Sequence, residues 1–427
     1  MPRNAAASLL VLATIVFCAP PTVNAQPPAP VSRPPTLDDK IEAGDEELPE
    51  PARPLIKWNQ YQGDFITFRV GGGLLYEYAA YVQDAASKGQ FRLVPAPKLR
   101  DARLLFKGGF NFKRPVTWST GLLFDQATHT FLFRETGVMI AVPRAWGHVF
   151  VGRTKEGFSQ NKVMVGYAGW TLERAPISDA TIPILADGVK WLGHAPKQHL
   201  LWNLGVYGDH FSEGQTFSTY DRQIAGRIAF VPLLSEETGR VLHLGINVRY
   251  GKPNEGQLQL RSRPEAFPAP FFVDTGKFAA ESTRMAALEG YYRPGPLLIG
   301  TEYFIQDAHA PTAGNPFFHG GNAVVSWLAT GETRVYNTRG GFFGQISPAR
   351  PVFQGGPGAW EFVAEVSYID LESGALHGGT FWRVTPLVNW HLSDNMRLEF
   401  AYGYGLLDRF GSVGKTQFFQ SRIQLVL

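Results

Sequence analysis

Charged and amide side chains recur at every second position within apolar stretches of this chain, a spacing suited to steering ions. In Arg397–Leu406, Arg397 and Glu399 alternate with Leu398, Phe400, Tyr402, Tyr404 and Leu406. Near the end, Gln420, Arg422 and Gln424 alternate with Phe419, Ile423, Leu425 and Leu427. Arg227, Arg249 and Arg383 occupy similar positions, with Glu361, Glu365 and Glu399 as candidate partners. Guanidinium and carboxylate groups on one face of a wall form salt-bridge ladders, and such ladders set a transverse field across the water between them. Covalent chemistry finds less support. The ten histidines are scattered, with no His-x-x-x-His pair and third ligand. No Gly-x-Ser-x-Gly elbow occurs. Gly71-Gly72-Gly73 lies inside a strand pattern and precedes no helix, so it reads as a bulge or kink rather than a phosphate cradle. The chain is therefore read as a non-enzyme with no cofactor and no metal site.

The elements that must carry those charges are strands. A strand turns successive side chains to opposite faces. Leu242, Leu244, Ile246, Val248 and Tyr250 oppose His243, Gly245, Asn247 and Arg249. Trp360, Phe362, Ala364, Val366 and Tyr368 oppose Glu361, Val363, Glu365 and Ser367. Strand-like segments begin near Asp64 and run to Leu427, with turn signals between them. About sixteen can be placed, enough for a transmembrane antiparallel β-barrel with an aqueous bore. A β-sandwich would also alternate, but it would not need so long a series or so many aromatics at strand ends. The composition agrees: 44% hydrophobic and 13% aromatic residues coexist with a mean hydropathy of only −0.11, as in a wall with one greasy and one wet face. A net charge of +3 is too weak to argue for nucleic acid.

Connections alternate in length. Short ones include Pro143–Ala145, Arg293–Pro296 and Leu392–Asn395; long ones include Thr154–Ala186, Gly251–Arg284 and Asp307–Asn322. Short periplasmic turns and long external loops, some folded inward, would produce this pattern. Thr330–Gly358 breaks it by being long on the short side, and its Tyr336–Gln345 stretch is expected to pack at the inner end of the barrel.

Residues 1–25 read as a secretory signal: Arg3 is the early charge, Leu9–Ala19 is apolar and too short to span a bilayer, and Val23-Asn24-Ala25 offers a cleavage site. Residues 26–63, rich in proline with an acidic patch at Asp45-Glu46-Glu47, read as a periplasmic tail or linker. Residues 64–427 form the barrel. The sole cysteine, Cys18, lies in the signal, so the mature chain lacks disulfides and thiolate metal ligands.

Several short motifs now bring a family into view. Arg227-Ile-Ala-Phe-Val-Pro with Arg240-Val-Leu-His-Leu-Gly, Trp327-Leu-Ala-Thr-Gly-Glu, Gly358-Ala-Trp-Glu and Asn389-Trp390 fall in the order and spacing found in the phosphate- and polyphosphate-selective outer-membrane porins. The chain resembles that family from Asp64 to Leu427. The resemblance implies a homotrimer of sixteen-stranded barrels, with arginines at the entrance and cations at a constriction. A guanidinium fork matches phosphate oxygens bidentately, and lysine acts as a mobile point charge. Matched singly, the resemblance points to Arg261 and Arg263 of an Arg-x-Arg-Pro loop, to Arg174 of a Leu-Glu-Arg motif, and to Lys162 twelve residues before it. It also points to Arg100 on the second strand, with Arg103 close by, and to Asp125 as an acidic wall residue. Arg174 could equally tie its loop to the wall through a carboxylate, and Arg261 and Arg263 could pair with Glu265. The sequence departs from the family at Asp101, where a second arginine is expected, at Tyr167, where a lysine is expected, and at Leu427, where an aromatic is usual.

Two channel readings follow: a pore for phosphate or pyrophosphate, and a general diffusion pore with weak selectivity. A structural or adhesive barrel plugged by its loops is the third reading. In each the expected location is the Gram-negative outer membrane, with its lipids and lipopolysaccharide as neighbours.

Overall fold

The computed structural model describes residues 59–427 apart from 115, 127–128, 165, 209–218 and 236. The signal and most of the proline-rich tail lie outside the described residues. Sixteen strands make one closed antiparallel wall, joined by a three-residue strand, Gln60–Gln62, that pairs with Thr67–Arg69. We number the wall strands β1 (Ile66–Gln83), β2 (Ala96–Phe110), β3 (Val116–Asp125), β4 (Thr130–Val142), β5 (Gly147–Thr154), β6 (Ala186–Ala195), β7 (Leu200–Gly208) and β8 (Tyr220–Ser235). The second half is β9 (Arg240–Pro253), β10 (Ser282–Pro294), β11 (Leu297–His309), β12 (Phe317–Leu328), β13 (Ala359–Ser373), β14 (Leu376–His391), β15 (Met396–Arg409) and β16 (Ser412–Val426). Each strand pairs with the next. The seam closes between β1 and β16, from Gly73 opposite Val426 to Gln83 opposite Thr416. Closure leaves no unpaired edge, the condition for strands to cross a bilayer.

The two faces sort as the alternation predicts. Ile224, Ile228, Phe230, Leu244, Ile246 and Val248 are exposed on the outside, while Arg227, His243, Asn247 and Arg249 are buried inside. Outward apolar residues meet lipid, and inward polar residues meet water or one another.

The bore is not evenly filled. The β5–β6 loop (155–185), the β9–β10 loop (254–281) and the β12–β13 insert (329–358) all fold inward. Phe158, Ile177 and Ile182 of the first pack with Leu260, Phe272 and Phe278 of the second, against Phe304, Phe318, Phe381 and Phe418 of the wall. Nearer the end that carries the short turns, Trp170 of the first loop packs with Tyr336, Phe342 and Phe343 of the insert, against Tyr291, Val363 and Leu387. Both cores lean on the later strands. The insert that breaks the length pattern thus supplies apolar side chains to a core that the wall alone cannot fill.

Polar anchoring fixes these inserts. The tip of the first loop carries α1 (Gln160–Val163), with Ser159 as its cap. Backbone N–H groups of Gln160 and Asn161 donate to Glu289 and Glu302 at 2.8 and 2.7 Å, and that of Ser159 donates to Asn247 at 2.8 Å. Wall carboxylates thereby satisfy the orphan donors of a helix start. Arg334 of the insert donates to Glu361 Oε1 at 2.6 Å and Oε2 at 2.8 Å, and to Ala168 O at 2.7 Å.

The three consecutive glycines form neither bulge nor kink: Gly71, Gly72 and Gly73 pair in unbroken register with Leu105, Leu104 and Arg103. Their smallness serves close approach. A Cβ on Gly73 would strike the Tyr167 hydroxyl, and one on Gly71 would strike the Leu427 carbonyl.

Candidate functional site

Side chains along β2–β4 are mostly half-exposed, whereas those along β8–β16 sort largely into buried inward and exposed outward sets. Among β1–β4, two breaks of register change which residues face inward. Between β1 and β2, Leu75 pairs with Asp101 but Tyr76 pairs with Leu99, so Arg100 is an extra residue. Between β3 and β4, Leu122 pairs with Phe133 but Thr120 pairs with Thr136, so Arg134 and Glu135 together oppose the single residue Gly121. A bulge re-aims a side chain that strict alternation would send outward. Arg100 accordingly reaches the loops inside the barrel.

Arg100 Nε and Nη2 donate to Glu173 Oε1 and Oε2 at 2.6 and 2.9 Å, a bidentate pair between β2 and the β5–β6 loop. Glu173 also accepts from Arg422 of β16 at 2.5 Å, and Arg422 Nε donates to Glu77 at 3.0 Å. Burial works to raise the Glu173 carboxyl, but Arg100 and Arg422 outweigh it and hold it down at about 2. The loop is therefore stapled to both sides of the barrel seam by one ionised carboxylate.

Arg103 pairs with Asp101, with Nε to Oδ1 at 2.8 Å, and its guanidinium lies 4.9 Å from the Tyr167 ring centroid. The two departures from the family pattern, Asp101 and Tyr167, thus converge on one arginine. Arg174 donates to the carbonyls of Asn161 at 2.8 Å and Met164 at 3.2 Å. It ties its loop to itself, through carbonyls that leave its charge uncancelled. Burial, joined by the cations Arg100 and Arg134, draws its pKa down to about 10 against the pull of Glu173, and it remains charged at neutral pH.

Arg261 and Arg263 lie on the β9–β10 loop, where a small hairpin pairs Arg261–Ser262 with Val273–Asp274. Arg261 is exposed and Arg263 half-buried. Neither pairs with Glu265, which is buried and faces Arg383 at 3.7 Å. Asp125 is half-buried at the end of β3, opposite Thr130. Lys162 lies apart from this group. It is buried beneath the loop, and its Nζ donates to Ile182 O at 3.2 Å. Burial, reinforced by Arg174, pushes its pKa well below the usual lysine value.

The wall arginines pair with acids, but not those the alternation suggested. Arg227 meets Glu289 at 2.7 Å and Arg249 meets Glu156 at 2.8 Å. Glu361 takes Arg334, and Glu399 takes its neighbour Arg397 at 3.0 Å. Two of these partners, Glu156 and Arg334, come from inward-folded segments, so strand periodicity could not reveal them. Sequence reading also missed Arg134 and Glu173, and it set Arg422 on the inner face without its partners Glu77 and Glu173. The cue for Glu173 was its place inside Leu-Glu-Arg beside Arg174.

A family model for phosphate-selective porins O and P matches residues 68–416. Porin O of Pseudomonas aeruginosa is 24% identical over 211 residues, which cover 42% of this chain and 47% of that protein. An uncharacterized protein of Caulobacter vibrioides is 29% identical over 191 residues, 44% of this chain and 37% of that one. The matches thus span less than half the length of these relatives. Among solved structures, OmpT of Vibrio cholerae aligns with a TM-score of 0.54 at 12% identity, covering 86% of this chain and 100% of that one. An anion-selective porin from Comamonas acidovorans aligns with a TM-score of 0.52 at 13% identity, covering 85% and 100%. At such identities the likeness speaks for the fold alone.

Proposed function

The chain belongs to the family of phosphate-selective porins O and P and forms a porin-type channel of the Gram-negative outer membrane; from that premise we propose that it conducts small anions passively, phosphate and pyrophosphate among them. Family and fold point to a channel rather than an enzyme. The observation that carries the anion reading is the charge gathered around β2–β4 and the loops facing them. Lys98, Arg100, Arg103, Arg134, Arg174, Arg261 and Arg263 outnumber Asp101, Asp125, Glu135, Glu173, Asp179 and Asp274 there. A cationic lining in a narrow bore concentrates anions and repels cations.

One observation favours the second reading, a diffusion pore with slight preference. Asp101 and Glu173 neutralise Arg103 and Arg100, two of the groups nearest the wall. Reversal potentials across a potassium chloride gradient decide between the readings. Anion selectivity with phosphate blocking the chloride current is the expected result. Anion selectivity without block would support the diffusion pore, and cation preference would reject both.

The same family membership underlies the proposal that three copies associate. Strands β5 and β7 have only eight and nine residues, against eighteen in β1. A low stretch of wall fits poorly in lipid and is relieved by packing against another barrel. Purification in mild detergent should give a trimer; a monodisperse monomer would remove this part of the reading.

A further inference from the structure

Two phenylalanines of the β9–β10 loop stand among the lumen cations. Arg100 and Lys98 approach the Phe267 ring, at 4.4 and 5.1 Å from its centroid. Arg261 lies 4.2 Å from the Phe271 centroid. Arg263 bridges the rings, 4.3 Å from Phe271 and 5.3 Å from Phe267. Both phenylalanines are half-buried, unlike Phe272 beside them, which is buried in the loop core. Among the described residues, Lys98, Arg261 and Arg263 form no ion pair with a carboxylate. Carboxylates are within reach nonetheless. Asp274 is the register partner of Arg261 across the hairpin, and Asp179, which accepts from Ser262 at 3.0 Å, attracts Arg263.

The difference between the two ways of holding a cation is chemical. A carboxylate orients a guanidinium and cancels its charge. A ring face orients it through the quadrupole and leaves the full positive charge. A stacked guanidinium also keeps its N–H edge clear of the ring, free to donate to an oxyanion.

We propose that Phe267 and Phe271 are the positioning and specificity-determining residues of this anion path. They hold Arg261, Arg263 and Lys98 side-on by their ring faces, and so keep those cations from collapsing onto Asp274 and Asp179. Arg263 Nε donates to Ala269 O at 3.0 Å, which fixes its plane and leaves its terminal Nη groups to donate. The ligand class is a small oxyanion such as inorganic phosphate, captured by those groups, by the Arg261 guanidinium and by the Lys98 ammonium. This inference rests on the anion reading above and deepens it.

The test replaces both rings without touching a charge. Phe267→Leu with Phe271→Leu keeps apolar bulk; Phe267→Tyr with Phe271→Tyr keeps the ring faces. Planar-bilayer recordings would measure the anion-to-cation permeability ratio in a potassium chloride gradient and the block by inorganic phosphate. With one cation–ring contact worth about a two- to fivefold effect, the leucine pair should lower both readouts by at least that factor. The tyrosine pair should restore both. Equal values in the leucine pair and an anion-selective parent overturn the role of the rings while leaving the anion channel standing. A leucine loss that tyrosine does not rescue also overturns it, since the defect is then one of packing. A parent channel without anion preference would overturn the anion reading and, with it, this inference.

Discussion

The later strands and the early strands of this barrel use the same residue types to opposite ends. Along β8–β16, four buried lumen arginines are each matched to an acid: Arg227 to Glu289, Arg249 to Glu156, Arg383 to Glu265, Arg397 to Glu399. Arg293 and Arg409 of the same strands donate to carbonyls, and Arg222, Arg240 and Arg284 are exposed. Along β2–β4, and on the loop arginines facing them, guanidinium groups keep some exposure, as Arg100 does at 29%. Several there rest on carbonyls or aromatic rings instead of carboxylates. The contrast teaches that arginine content alone does not make an anion path. What matters is whether the group beside each arginine cancels its charge or only aims it.

Breaking a matched pair among the later strands should produce the largest effect. Glu361 receives Arg334 from the insert and also accepts from Asn389 at 2.9 Å. Glu361→Ala would strand a buried guanidinium, a change that typically costs about 3–5 kcal/mol. Urea unfolding of the refolded barrel in detergent should show that loss, or the insert should become open to protease. Unchanged stability would mean that the insert is held by its apolar contacts alone.

Around the early strands, charge removal should alter permeation more than stability. Arg261→Ala with Arg263→Ala should lower the anion-to-cation permeability ratio by about fivefold, since a charge at contact is worth about 1 kcal/mol in water. The unfolding midpoint should barely move. If stability falls and the reversal potential stays put, the two sides of the bore do not differ as argued.

The wall was legible in the sequence because a strand's period is strict: all sixteen strands, their order, the closing pair and the greasy outer face follow from alternation. The site was legible only in pieces. Arg261 and Arg263 stand out by their motif, but Arg100 faces inward because of a bulge, which alternation cannot foresee. Glu173, Glu156 and Arg334 act from inserts whose fold depends on long-range packing, with partners up to about 250 residues away in the chain. Lys162 carries the charge and spacing of a pore residue, yet the cap at Ser159 turns it beneath the loop.

Glu173 and Lys162 sharpen the comparison with smaller effects of opposite kind. Glu173 is held at about 2, below its ordinary 4.5. A depressed carboxyl contributes stability that is complete above the ordinary value and is lost as pH falls through the lower one. The loop should therefore loosen between about pH 4.5 and 2, read as rising current noise at constant voltage. Glu173→Gln releases the charge of Arg100 while Arg422 keeps Glu77, so anion preference should increase slightly at neutral pH while the acid-induced noise disappears. Lys162→Met removes an amine that touches Ile182 O and no open water, so the reversal potential should match the parent within error. A clear loss of anion preference in that variant would return Lys162 to the path and require the loop to open in the conducting state.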